Sequence, residues 1–282
     1  MLESTHRWVD RQVEGMLATA SGMHPDSFVK DCLSNPFRIA LHWSDQVAVQ
    51  RVKPTVRDSR NRDDEDIEVS GLCVPPARTG DGLYHLIVNE CDYPPRNYFT
   101  LLHELGHYLQ RTDTELAINL FMFDDAATAK EAEEAACNRF ASKALLPDSY
   151  IEGLLAERSL DAIFAKDLFE IGRRRTSTKS HAGVSRHVVI RRLADFLPET
   201  GFISLIKNEK LYTRIQGNRH IRYDDALLQE EREAIDLFLA HEVGSGVSNG
   251  LSITLDGKDG RKQISIACSY AWPDRWYFLI VK

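Results

Sequence analysis

His103-Glu104-Leu105-Gly106-His107 sits inside the apolar frame LLHELGHYL, and no other segment restricts the fold as tightly. Phe99, Leu102, Leu105 and Leu109 recur at helical spacing through it, so the stretch after Pro94 and Pro95 reads as one amphipathic helix. On a helix, residues i and i+4 stand one turn apart on the same face, and both imidazoles can therefore reach a single Zn²⁺. Glu104 stands beside them, placed to take a proton from a water. A catalytic zinc needs a third protein ligand and one open position. The following helical pattern, KEAEEAACNRFASKALL, stops at Pro147 and offers Glu131, Glu133 and Glu134, among which spacing alone does not choose.

The composition is that of an ordinary globular chain: 282 residues, 43% apolar, 35 Lys+Arg against 42 Asp+Glu. This excludes disordered, collagen-like and disulfide-stapled classes, and the length suits one large core with a second, smaller one. A formal charge of −7 argues against a whole-protein nucleic-acid coat but leaves room for a local basic surface. The N-terminal MLESTHRWVDRQVEGML mixes charges with apolar residues at helical spacing, and no stretch is long enough to span a membrane. Five widely spaced cysteines without a CxxC pair fit reduced thiols, hence an expected cytoplasmic location.

Residues 1–35 read as one or two helices, and Phe37–Val52 holds the strand-like runs RIALHW and QVAVQRV. The charged segment from Lys53 to Asp66 reads as an exposed loop. GLCVPP (71–76) and LYHLIVNE (83–90) form an expected hairpin, with Pro75 and Pro76 placing the first strand at a sheet edge. Residues 149–172 are helical in pattern, and SRHVVIRRLADFL is a helix opened by Ser185 and closed by Pro198. From Gly201 a hairpin, the helix DDALLQEEREAIDLFLAHE and further strands suggest a small α+β module. The expected organisation is α+β, with domains at 1–200 and 201–282.

Glu134-Ala-Ala-Cys137-Asn138-Arg-Phe140-Ala141, followed by Ala144-Leu145-Leu146-Pro147, resembles the second motif of the ImmA/IrrE metallopeptidases, E-x-x-A-N-x-F-A-x-x-L-L-x-P. The resemblance extends from about Ser70 to Leu197 through FTLLHELGH and VSRHVVIRRL. It departs from the family at Cys137, which stands where Ala is usual, and in a Leu-Leu-Pro placed one residue late. It implies a zincin-like domain in which His103, His107 and Glu134 hold Zn²⁺ and Glu104 is the catalytic base. Glu131 and Glu133 are then solvent-facing charges, and Asn138, one turn on, fixes a ligand histidine. Tyr108, Tyr150, His181 and His187 are candidates for the oxyanion donor, a role left unassigned. The resemblance further implies an extended peptide substrate added as a strand beside GLCVPP, and a GAF-like sensor module at 201–282.

Cys73, on that edge strand, could occupy the open fourth position of the zinc as an inhibitory thiolate, with Cys91 as the alternative. Arg173, Arg174, Arg175, Arg191 and Arg192 lie in a run from Ile171 to Ala194 without acidic residues, a candidate nucleic-acid surface. Tyr212, Tyr223, Tyr270, Trp272, Trp276, Tyr277 and Phe278 interleave with Arg214, Arg219, Arg222 and Arg275, a pattern shared by single-strand binders and ordinary β-rich cores. Members of the family cleave, or cause cleavage of, helix-turn-helix repressors after a stress signal such as DNA damage. Among them the chain most resembles the regulatory proteases that partner repressors of CBASS anti-phage operons. The resemblance thus implies a zinc endopeptidase acting on such a repressor, with single-stranded DNA as a candidate activator and no membrane partner. The alternatives are a non-proteolytic zinc-containing regulator that binds DNA or a repressor, and a non-regulatory zinc hydrolase.

Overall fold

The computed structural model describes residues 3–23, 25–53, 70–91, 93–171, 183–217, 226–245, 250–257, 260–271 and 274–282. Contacts divide them into two compact units, the first running to Asp148 with Gly183 added, the second comprising 149–171 and 184–282. The compact C-terminal unit thus begins at Ser149 rather than at the expected residue 201.

In the first unit, α1 (Glu3–Met23) buries Val9, Val13, Met16 and Ala20 on one stripe, at steps of three or four residues, and packs against the later helix α7 (Ala126–Leu145). α2 (Phe28–Ser34) and α3 (Phe37–Ala40) follow. The run RIALHW, expected as a strand, is instead α3 continued by a 3₁₀ turn over Leu41–Trp43. Its buried positions are Ile39, Ala40 and Trp43 while Leu41 is exposed, a period of three to four that a strand cannot supply.

β1 (Val47–Val52), β2 (Gly71–Val74) and β3 (Tyr84–Asn89) form a sheet in the order β1-β3-β2. β1 runs parallel and β2 antiparallel to β3, with Cys73 opposite Leu86. β2 is therefore the edge expected from Pro75 and Pro76. The β2–β3 connection is not a tight turn but the short helix α4 (Pro76–Thr79) and two glycines, Gly80 and Gly82, at φ 77° and 81°.

α5 (Pro94–Thr112) starts on Pro94, whose missing N–H costs nothing in the first turn, and packs against β2, β3 and α7. After α6 (Thr114–Leu120), α7 (Ala126–Leu145) opens with Asp125 accepting from the Thr128 N–H at 2.8 Å and ends just before Pro147.

The second unit contains α8 (Asp148–Leu155), α9 (Ala162–Ile171), α10 (Arg186–Ala194), β4 (Phe202–Lys207), β5 (Lys210–Gln216), α11 (Gln229–Ser245), β6 (Leu251–Gly257), β7 (Gly260–Ala271) and β8 (Asp274–Val281). Its antiparallel sheet has the order β5-β4-β8-β7-β6. Both faces of the central strands are covered, which is why FISLI and FLIV read as continuous apolar runs. Phe202, Ile206, Tyr277 and Leu279 join Ala234 and Phe238 of α11 in one core, while Phe278 points to Phe169 of α9. The apolar sides of α9 and α10, including Phe164, Leu168, Val189 and Ile190, pack on this sheet and draw the unit's boundary back to Ser149. Among the described residues no helix is long and apolar enough to cross a membrane.

Candidate metal centre

α5 presents His103, Glu104 and His107 toward α7, and two features of the local sequence let the helices meet closely. Gly106 is the first: a Cβ there would stand 3.2 Å from Cys137 Sγ and 3.3 Å from Phe140 Cδ1, so a larger residue would push α7 away. The second is the run of fully buried Ala132, Ala136 and Ala141 on α7.

Across this contact the two imidazoles and one carboxylate converge. His103 Nε2 lies 3.2 Å from His107 Nε2 and 3.2 Å from Glu134 Oε2, and His107 Nε2 is 3.5 Å from Glu134 Oε1. Candidate ligand atoms from these three residues all fall within 4.8 Å of one another. Each imidazole is held from behind through its other nitrogen. His103 Nδ1 is 3.1 Å from Asn138 Oδ1, and His107 Nδ1 is 2.7 Å from Glu133 Oε1, which also accepts from Arg111 Nη2 at 3.2 Å.

The electrostatics are those of a cation site. Burial opposes charge on His107, yet the Cys137 thiol and the Glu133 and Glu134 carboxylates outweigh it and push its pKa up to about 12. Hydrogen bonds from His103 and His107 hold Glu134 well below the usual carboxylate range. Glu104 is buried and its pKa is raised by that burial, against the pull of His103 and His107. Two imidazole nitrogens and a carboxylate, already oriented and surrounded by negative charge, fit Zn²⁺ in number and chemistry.

The centre lies in an open cleft of about 590 Å³. Ser70, Leu72 and Cys73 line the β2 side, α5 contributes Phe99, Thr100, Glu104 and Arg111, and α7 contributes Glu134 and Asn138. Arg96 donates to Ser70 Oγ at 2.7 Å at the cleft wall. The edge strand thus borders the site. Gly71 faces Glu104 so closely that a Cβ would come within 2.7 Å of its Oε1 and would overlap Thr100 Cγ2.

The structure brings His103, Glu104, His107, Glu134 and Asn138 together as the sequence motifs suggested. Glu131 is exposed, as expected, but Glu133 is not a solvent-facing charge: its side chain is only 17% exposed because it is drawn onto His107 and Arg111. Cys73 is buried on the cleft wall, and burial pushes its thiol up to about 11, but it is not part of the three-residue donor group. Cys91 is held at the start of α5 by Asn97, with Sγ 3.3 Å from Oδ1, and does not line the cleft.

Tyr108 faces the core, where its hydroxyl donates to Gln46 Oε1 at 2.7 Å and its ring meets Trp43 and Tyr84, so it is no oxyanion donor. Tyr150 and His187 belong to the C-terminal unit, and His181 lies outside the described residues. Arg173, Arg174 and Arg175 also lie outside them, and Arg191 is half-buried. Arg192 is a correction: it is 1% exposed and paired with Asp195, so it cannot meet a phosphate. Glu133, a candidate carboxylate by sequence, has a different place from the solvent-facing one expected of it, and Arg111, Gly71 and Gly106 are not singled out by the sequence motifs. Adjacent carboxylates at 133 and 134 and the Arg one turn beyond His107 were the available signals.

A HExxH helix beside a small sheet, completed by a carboxylate from a second helix, is the arrangement of donors that zincin-like metal centres use. Residues 62–194 match the model of the IrrE N-terminal-like domain (Peptidase_M78) of the ImmA/IrrE family. Among solved structures the chain aligns with a Mycobacterium tuberculosis transcriptional regulator at a TM-score of 0.47 and 15% identity, over 98% of this chain and 75% of that one. Comparison with curated proteins gives no match.

Proposed function

We propose that this protein is a cytoplasmic zinc endopeptidase that cleaves a helix-turn-helix repressor after a stress or DNA-damage signal, thereby derepressing a defence or mobile-element operon. The observation that carries the reading is the convergence of His103, His107 and Glu134 beside the buried carboxylate of Glu104. His103 Nε2, His107 Nε2 and a Glu134 oxygen would hold Zn²⁺. Bound zinc supplies polarisation of a peptide carbonyl and acidification of a water. Glu104 takes the proton of that water on its carboxylate and returns it to the leaving amine, a task suited to a base whose pKa burial has raised. The β2 edge, with Leu72 exposed beside the cleft, offers main-chain groups to an extended peptide.

The C-terminal unit is read as the sensor, with a GAF-like role. Tyr212 is exposed, with its ring centroid 5.1 Å from those of Trp276 and His187. Lys207 Nζ lies 5.4 Å from the Trp276 ring. Aromatic faces next to cations are what unpaired bases stack on, which supports single-stranded DNA as the activator. The test is cleavage of a purified candidate repressor by zinc-loaded wild type and Glu104→Gln, with and without short single-stranded DNA. Cleavage by wild type alone, stimulated by DNA, is expected. Repression relieved equally by Glu104→Gln would instead indicate a binding regulator.

A further inference from the structure

We propose that Glu133 is a positioning residue that fixes His107 as a metal ligand, and that Arg111 holds Glu133 in that role. The inference rests on the metal-centre reading above and adds a device that neither the HExxH motif nor the ligand Glu134 supplies.

Glu133 and Glu134 are consecutive on α7, so their side chains leave the helix about 100° apart. The structure uses that divergence to bracket one imidazole: Glu133 Oε1 is 2.7 Å from His107 Nδ1, and Glu134 Oε1 is 3.5 Å from His107 Nε2. A carboxylate can only accept, so Nδ1 keeps its proton when a metal displaces the one on Nε2, and the ligand lone pair then lies on Nε2, the nitrogen that faces His103 and Glu134. Asn138 behind His103 does not impose this, because an amide can present either its oxygen or its nitrogen. The tautomer of His107 is therefore set by charge, while that of His103 follows from its amide partner and its neighbours.

Arg111 lies one turn beyond His107 on α5 and donates to the same Glu133 oxygen at 3.2 Å. The chain His107–Glu133–Arg111 ties α7 to α5 at two points and stops the Glu133 carboxylate from turning to solvent. A carboxylate behind a ligand imidazole raises its basicity and restricts its ring, and loss of such partners lowers metal affinity by about 10- to 100-fold.

The experiment measures zinc affinity by chelator competition for wild type, Glu133→Ala, Glu133→Gln and Arg111→Met, together with apo-protein melting temperatures. In parallel, long-range ¹H–¹⁵N spectra of the zinc-loaded wild type report which His107 nitrogen is protonated. Glu133→Ala should bind zinc about 10- to 100-fold more weakly. Glu133→Gln, whose amide oxygen can still accept from Nδ1, should recover most of that loss, and Arg111→Met should fall between. The spectra should show His107 protonated at Nδ1. Wild-type affinity in Glu133→Ala, or a His107 protonated at Nε2, overturns the inference while leaving the metal centre standing. Absence of stoichiometric zinc in the wild type overturns the metal-centre reading itself. If Glu133→Ala melts much earlier than wild type, Arg111→Met and the wild-type spectra still decide, and wild-type affinity in Arg111→Met then overturns the inference.

Discussion

Gly71 carries no chemistry, yet its missing side chain sets where the carboxylate of Glu104 can stand. A Cβ at 71 would press first on Thr100 Cγ2 and on Oε1 and Cγ of Glu104. Gly71→Ala is therefore expected to displace Glu104 and cut the cleavage rate by about 100-fold, because sub-ångström placement governs proton transfer. Zinc content, measured by atomic absorption, should stay at the wild-type level, and a parallel loss of zinc would contradict this division of roles. Cys73 is a second case in which position decides. Its sulfur lines the cleft but stands outside the donor group, so Cys73→Ala should leave basal cleavage within about twofold of wild type, the range of ordinary surface and packing changes. A clear rise in basal cleavage would make it a resting ligand after all. At this scale the sequence was most legible where chemistry demands a spacing: His103, Glu104 and His107 follow from helix geometry, and Glu134 and Asn138 from their motif. Glu133 and Gly71 were not, because what matters in each is a contact across elements that no periodicity records.

α10 and α11 show how elements of the C-terminal unit are fixed. α10 opens with Ser185 Oγ accepting from the Val188 N–H at 3.2 Å, as its sequence foretold. On it, His187 packs by Tyr212, and burial first, then the nearby Arg191, lowers its pKa. The folded state thus prefers neutral His187, whereas the unfolded chain takes up a proton below about 6.5. Its contribution to stability is complete above that value and is lost as pH falls toward the depressed folded pKa. Melting temperature should consequently fall more steeply between pH 7.5 and 5.5 in wild type than in His187→Gln, and equal slopes would refute the assignment. α11 is tied to the sheet by the fully buried pair Arg214–Glu231, in which Glu231 also accepts from Ser204 at 2.5 Å and from the Leu228 N–H at 2.7 Å. Glu231→Ala strands a buried guanidinium and should cost about 3–5 kcal/mol in urea unfolding. A loss under 1 kcal/mol would mean that the pair is not held in the folded protein. The RIALHW run reads as a strand because six residues of mixed apolar character fit either period, and the choice is made by burial of Ile39, Ala40 and Trp43 in a helix that begins after Pro36.

For the whole molecule, composition bounded the class and the order of helix and strand patterns gave the α+β reading, but the boundary between units was not readable. α9 and α10 carry the same apolar periodicity whether they cover one sheet or another, and their contacts with the five-stranded sheet, those of Phe169 with Phe278 and of α10 with β4 among them, assign them to the C-terminal unit. The family match, ending at residue 194, runs across that division. Sequence relatedness and compactness thus cut this chain at different places, and a sensor reading of the C-terminal unit has to include α9 and α10. The proposed function requires that the centre of the first unit be a zinc peptidase. The most direct measurement is mass spectrometry of a candidate helix-turn-helix repressor incubated with zinc-loaded wild type, chelator-stripped wild type and zinc-loaded Glu104→Gln, at verified metal content. The prediction is one set of fragments from the zinc-loaded wild type and none from the other two. The same fragments from Glu104→Gln, or from the metal-free protein, would contradict it.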